Sequence, residues 1–179
     1  NLKTLLEALP ENKELPTDYG YLGRAYSLVE ATDSVTNALN DSLSYMYLSK
    51  AAPLDTTNNY YQFLADAKYK GKDYVGAADA YRQSVAWKEK KADQKPGAND
   101  YFRLATSYYY GYGLAPKEQR DSTLLPRADS AFAKVSEVAP DFVPAYKMRA
   151  YTNLLMDPTG EKELASPYFM KLIEVAQSD

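Results

Sequence analysis

Apolar positions recur along the chain at spacings of three and four, the period of an amphipathic helix. Tyr101, Leu104, Ala105 and Tyr108 set the pattern: a bulky residue, Leu three later, a small residue next, and Tyr three beyond. Tyr19, Leu22, Gly23 and Tyr26 repeat it. Tyr61, Leu64 and Ala65 do so with Tyr69 one place late, and Tyr146, Ala150 and Tyr151 do so in part. This spacing puts the residues on one helical face, with the small residue where a second helix approaches. A second pattern follows each of these: small, aromatic four later, apolar three after that, Pro five beyond. Ala128, Phe132, Val135 and Pro140 show it in full, and Ala77, Tyr81 and Ser84 show it without the Pro. Tyr45, Leu48 and Pro53 fit with Asp41 in the small position, and Ala165, Phe169 and Leu172 close the chain. Each half predicts a short helix, and each pair predicts a helical hairpin.

The paired patterns resemble tetratricopeptide repeats, and Val138-Ala139-Pro140-Asp141 is similar to the inter-repeat turn of that family. The resemblance covers about residues 17 to 176. Its repeats are long: Tyr19 to Tyr61 is 42 residues, Tyr61 to Tyr101 is 40 and Tyr101 to Tyr146 is 45, against a family period of about 34. The surplus is expected in turns, at Ala31 to Asn40, Lys90 to Gly97 and Gly111 to Pro126, since a solenoid tolerates loops outside its stacked core. The resemblance implies an all-α fold, a right-handed α-α superhelix of about four helical hairpins plus a leading helix. The hairpins are expected at 17–53, 57–90, 98–140 and 142–177 of a single domain spanning 1–179. The leading helix is the stripe Leu2, Leu5, Leu6 and Leu9, stopped by Pro10 and read over 1–10 as the second helix of an earlier repeat. At the far end Leu164, Tyr168, Phe169, Leu172, Ile173 and Ala176 predict an apolar helix with nothing after it. Terminal repeats normally carry a polar outer face, so this end points to a fragment of a longer array or to a homo-oligomer.

Composition narrows the chemistry. The chain has 179 residues, 45% of them apolar and 25% charged, in the range of a globular protein of one ordinary domain. It has no Cys and no His, which excludes disulfides, Cys-based zinc sites, thiol nucleophiles and imidazole-based triads. The net charge is −3, and the densest basic stretch (Lys88, Lys90, Lys91, Lys95) has Glu89 and Asp93 among it. No nucleic-acid partner is therefore expected. No stretch approaches the roughly 18 apolar residues of a membrane span. The start at Asn1, without initiator Met or signal pattern, suggests a trimmed mature protein or a fragment. The many Tyr, the missing Cys and His, and the Ala128-Asp129-Ser130 lead into a second helix are similar to exported or periplasmic bacterial members of the family.

Candidate catalytic groups are few. Glu161 with Glu163, and Glu118 near Asp121, lack the apolar flanks that would raise a pKa or exclude water. Gly111-Tyr112-Gly113 reads as a turn rather than a phosphate loop. Asp157 with neighbouring carbonyls is a conceivable Ca²⁺ ligand set without the EF-hand spacing. The expectation is a protein that is not an enzyme, with no cofactor and no metal.

A binding surface fits better. The resemblance implies a concave groove lined by the first helix of each hairpin. The faces left over by the packing pattern carry Tyr21 and Arg24; Gln62, Asp66 and Tyr69; Phe102, Arg103, Thr106 and Tyr109; and Lys147 and Tyr151. Tyr and Arg are enriched where binding energy concentrates, so the expected function is a protein–protein interaction module holding a peptide or partner segment. Some family members clamp a C-terminal carboxylate with Lys, Asn and further basic or amide residues. The matching positions here hold Gly20, Arg24, Phe63, Asn99 and Arg103, of which Arg103 alone fits. The apolar insertion from Tyr109 to Pro126 is expected to fold over its own hairpin, with partner binding as the alternative. A rival reading is carbohydrate binding on a bacterial outer surface, which an exposed Trp87 beside Tyr would favour; a third is a structural spacer in a longer array.

Overall fold

The computed structural model describes residues 15–177; the expected leading helix over 1–10 lies outside them. Among the described residues there are eight α-helices, one short 3-10 turn and no strand. They are α1 (Pro16–Leu28), α2 (Ser34–Leu54), α3 (Tyr60–Lys70), α4 (Tyr74–Glu89), α5 (Ala98–Gly113), α6 (Leu124–Val138), α7 (Val143–Met156) and α8 (Ser166–Ala176). None is long and apolar enough to cross a membrane. The chain divides into two compact units, one up to Lys88 with α1 to α4 and one from Glu89 with α5 to α8.

In the first unit α1 packs on α2, and both meet α3. Pro16 opens α1 with a fixed φ at a position that needs no N–H,, and the Asp18 carboxylate accepts the Leu15 N–H at 3.1 Å. Small residues set the spacing. A Cβ on Gly23 would stand 2.6 Å from Leu48 Cγ, so α1 and α2 pack as closely as they do because Gly is there. Leu48, Ser44 and Ala51 are all fully buried. The second-helix pattern in α2 therefore runs Ser44, Leu48, Ala51, not Asp41, Tyr45, Leu48 as the spacing suggested. Asp41 and Tyr45 are only half-buried, and the Tyr45 hydroxyl instead donates to the Ala67 carbonyl of α3 at 3.1 Å.

Most of the surplus length assigned to the Ala31–Asn40 turn is helix. Asp33 caps α2 by accepting the Thr36 N–H at 2.8 Å,. The Asn37 side chain then holds both the N–H and the carbonyl of Ala31, at 2.7 and 2.8 Å, closing the turn in a few residues. Lys90 to Gly97 does connect two helices, α4 and α5.

In the second unit α5 packs on α6, α6 on α7 and α7 on α8, with α5 also touching α7. Leu104, Ala105, Tyr108, Ala128, Phe132, Val135, Tyr146 and Ala150 are buried, so the patterned residues form the core here. Asp129 on α6 ties in α7: its carboxylate accepts Arg149 Nε at 2.9 Å and Asn153 Nδ2 at 2.6 Å. The Arg149 guanidinium in turn lies 4.3 Å from the Tyr168 ring centroid of α8,.

Candidate functional site

The residues expected to line a binding wall divide by what their neighbours leave open. On α1, Arg24 lays its guanidinium on the Phe63 ring of α3, 4.2 Å from the centroid. Tyr21 is exposed. On α3, Gln62 and Asp66 are engaged within their own hairpin. Gln62 Nε2 and the Tyr81 hydroxyl both donate to Asp66 Oδ1. Ser84 Oγ donates to Gln62 Oε1 at 3.1 Å and accepts Asn59 Nδ2 at 2.8 Å. Tyr69 is half-buried, edge-on to Tyr74 at 5.2 Å. Of the five first-unit residues, Tyr21 alone is exposed.

In the second unit Phe102 packs edge-on to Phe132 and Phe142, with centroids 5.6 and 5.3 Å away. Thr106 is buried and its hydroxyl donates to the carbonyls of Phe102 and Arg103 on its own helix. Both residues take part in helix packing. A first helix meets more than its own second helix: α7 packs on α6 of the hairpin before it and touches α5, besides packing on α8.

Arg103, Tyr109, Lys147 and Tyr151 remain on the surface side. Arg103 and Lys147 are exposed. The Lys147 ammonium stands 5.9 Å from the Tyr151 ring centroid, and Tyr151 is 39% exposed with its ring edge-on to Phe169 of α8. Tyr109 packs against Tyr110 at 5.5 Å. Burial pushes the Tyr109 hydroxyl above its ordinary 10.0, and the nearby Tyr110 and Tyr151 hydroxyls add to this. Tyr109 on α5 and Tyr151 on α7 thus share one neighbourhood. Phe63, Tyr110 and Phe169 support Arg24, Tyr109 and Tyr151; the sequence marked Phe63 only as a clamp position and Phe169 only as a packing residue.

The other sequence candidates have local roles. The Tyr109–Pro126 insertion folds back on its own hairpin end: α5 continues to Gly113, Leu124 and Leu125 are buried in α6, and Arg120 donates to the Ala115 and Gly113 carbonyls. Glu118, Asp121, Glu161 and Glu163 are exposed. Asp157 is buried and accepts the Lys162 N–H through Oδ2 at 2.9 Å, closing the turn after α7. Trp87 is half-buried and its indole N–H donates to the Thr56 carbonyl.

No protein-family model matches the chain, and no curated protein matches it. Solved structures do. The C-terminal part of a TPR repeat-containing protein from Cytophaga hutchinsonii covers 99% of this chain and 59% of its own, with 24% identity and a TM-score of 0.65. A MamA structure covers 99% and 85%, with 21% identity and a TM-score of 0.60. MamA from Desulfovibrio magneticus RS-1 covers 99% and 85%, with 17% identity and a TM-score of 0.58. At these identities the likeness shows the fold, that of tetratricopeptide-type helical repeats. The chain spans less than two thirds of the Cytophaga hutchinsonii chain it matches.

Proposed function

We propose that the chain is a non-catalytic protein–protein interaction module that holds a peptide or extended partner segment against the first helices of its second unit. The fold supports the general class, since helical-repeat proteins serve as scaffolds for protein contacts. The observation that carries the finer reading is the group Tyr109, Lys147 and Tyr151, where a cation and two aromatics stand together on α5 and α7. Tyr supplies large contact area at low entropic cost, and Arg and Lys supply charge-assisted hydrogen bonds to carbonyls or carboxylates. Random-peptide display on the full chain tests this. Enriched peptides should bind at least about tenfold more weakly to Lys147→Glu and Tyr151→Ala variants that circular dichroism shows to be folded, a loss of about 1.4 kcal/mol. If no peptide is enriched, or if both variants bind as the parent does, the reading fails.

A further inference from the structure

Arg149 and Arg120 stand over aromatic rings and spend their donors within the fold. The Arg149 guanidinium lies 4.3 Å from the Tyr168 ring centroid and donates to the Asp129 carboxylate at 2.9 Å. The Arg120 guanidinium lies 5.4 Å from the Tyr112 centroid and donates to the Ala115 and Gly113 carbonyls. Arg24 stands closer to its ring, 4.2 Å from the Phe63 centroid, yet among the described residues it forms no ion pair and donates no hydrogen bond. It is half-buried. A ring attracts a cation through its quadrupole but does not serve the guanidinium N–H donors as an oxygen does. Leaving a partly desolvated charged donor without an acceptor is costly, which sets Arg24 apart.

A second donor faces the same place from α3. Tyr60 is 2% exposed, and its Cζ, the atom that carries the hydroxyl, fills the space a Cβ on Gly20 would need. Gly20 precedes Arg24 by four residues on α1, so the two share a helical face, and a helical side chain leans back over the turn before it. Arg24 thus leans toward the Tyr60 hydroxyl. Phe63, its ring centroid 6.4 Å from that of Tyr60, forms the wall beside both. The Tyr60 hydroxyl has no hydrogen-bond partner among the described residues, and it is not one of the atoms shut off from solvent without one. Burial, with Asp55, Tyr21 and Asp18 adding and Arg24 opposing, raises it above 10.0, so it keeps its proton to donate. The acidic neighbours are already engaged: Asp18 accepts the Leu15 N–H, and Asp55 accepts from Thr57 and Asn58. Their charges oppose a phosphate dianion more than a single carboxylate.

We propose that Arg24 and Tyr60 form a binding site for one carboxylate of a partner polypeptide. The guanidinium and the Tyr60 O–H donate to its oxygens, as Arg149 and Asn153 donate to Asp129 in the second unit, and Phe63 backs the cation. Tyr21, 56% exposed and one turn before Arg24, offers its ring to the residue beside that carboxylate,. All of these residues lie in the first unit, so the site does not rest on the reading above.

Nuclear magnetic resonance of the isotope-labelled full chain tests it, in titrations at constant ionic strength with acetyl-Ala-Ala, acetyl-Ala-Glu-amide and acetyl-Ala-Ala-amide. These carry a terminal carboxylate, a side-chain carboxylate and none. One or both of the first two should shift the Arg24 Nε–H signal and the amides around Gly20 and Tyr60 to saturation, while the third should not; the tighter of the two names the source. Arg24→Gln should weaken this binding at least about tenfold, and Tyr60→Phe, which keeps the buried ring, about two- to tenfold. Lys147→Glu should leave it unchanged, so failure of this site and failure of the second unit's peptide contact are read separately. The site is overturned if neither carboxylate moves those signals, if the carboxylate-free control moves them equally, or if Arg24→Gln or Tyr60→Phe binds as the parent does. Inorganic phosphate that binds more tightly than either peptide overturns the choice of a carboxylate.

Discussion

Gly20 determines how the first unit's two hairpins meet. A Cβ there would overlap the ring of the buried Tyr60, and a buried ring in a packed joint has little room to retreat. Gly20→Ala should therefore destabilise the protein by about 1–3 kcal/mol, read as a lower urea midpoint at an unchanged slope. Gly113→Ala, at the end of α5 with nothing within 4 Å of the added carbon, should be neutral or stabilising by up to about 1 kcal/mol. Asp55 is a second point of control. Burial alone would raise its carboxyl, but hydrogen bonds from the Asn58 side chain, the Asn58 N–H and the Thr57 N–H outweigh this and hold it below its ordinary 3.8. A lowered carboxyl contributes stability that is present above 3.8 and is lost as pH falls through the native value. Urea midpoints measured down an acid series should fall less steeply for Asp55→Asn than for the parent; equal slopes would remove Asp55 from the acid response. Neither role was legible beforehand. Gly20 drew notice only for failing a clamp pattern, and Tyr61, half-buried, hid Tyr60, because adjacent aromatics are told apart only by the helix they face.

At the level of elements, legibility differed between second helices of the same pattern. α4 and α6 bury the residues their spacing marked: Ala77, Tyr81 and Ser84 in one, Ala128, Phe132 and Val135 in the other. α2 slipped by three residues because Tyr45 imitates the aromatic of the pattern while in fact bonding α3. The signal that would have fixed the register is the close approach at Gly23, which needs Leu48 opposite. The Asp129–Arg149–Asn153 cluster was equally hidden, since its members lie on separate helices at sequence distances of 20 and 24. Its side chains are about one-fifth exposed at the ion pair, so removing one partner leaves a partly desolvated charge. Asp129→Ala should cost about 1–3 kcal/mol. In a double-mutant cycle with Arg149→Met, the coupling should exceed about 0.5 kcal/mol. A coupling near zero would mean the pair is no more than a surface contact.

For the molecule as a whole, the hairpin architecture was readable because four tandem copies of a weak pattern reinforce one another. Which first-helix residues stay exposed was less readable, because it depends on which hairpin follows which. Tyrosine shows both sides of this. The chain has 18, and spacing alone does not separate the buried ones, such as Tyr60, Tyr81, Tyr108 and Tyr146, from the exposed Tyr21 and Tyr151. Burial raises the hydroxyls of Tyr45, Tyr60, Tyr101 and Tyr109 above the ordinary 10.0, with neighbouring carboxylates or tyrosines adding to it. A hydroxyl raised in the native state holds its proton longer there than in the unfolded chain. The stability it contributes is therefore complete below pH 10.0 and is lost as pH rises through the native value. Tyrosinate absorbance should accordingly rise in two stages, and in the second, above pH 10.0, the hydroxyls of Tyr45, Tyr60, Tyr101 and Tyr109 ionise together with loss of the helical circular dichroism. Tyr109→Phe should remove one ionising group from the second stage and lessen the decline of the urea midpoint above pH 10.0. If all tyrosines titrate in one step while the helices persist, the hydroxyls of the four are reached by water, and the packing of α5 against α7 at Tyr109 is looser than its contacts imply.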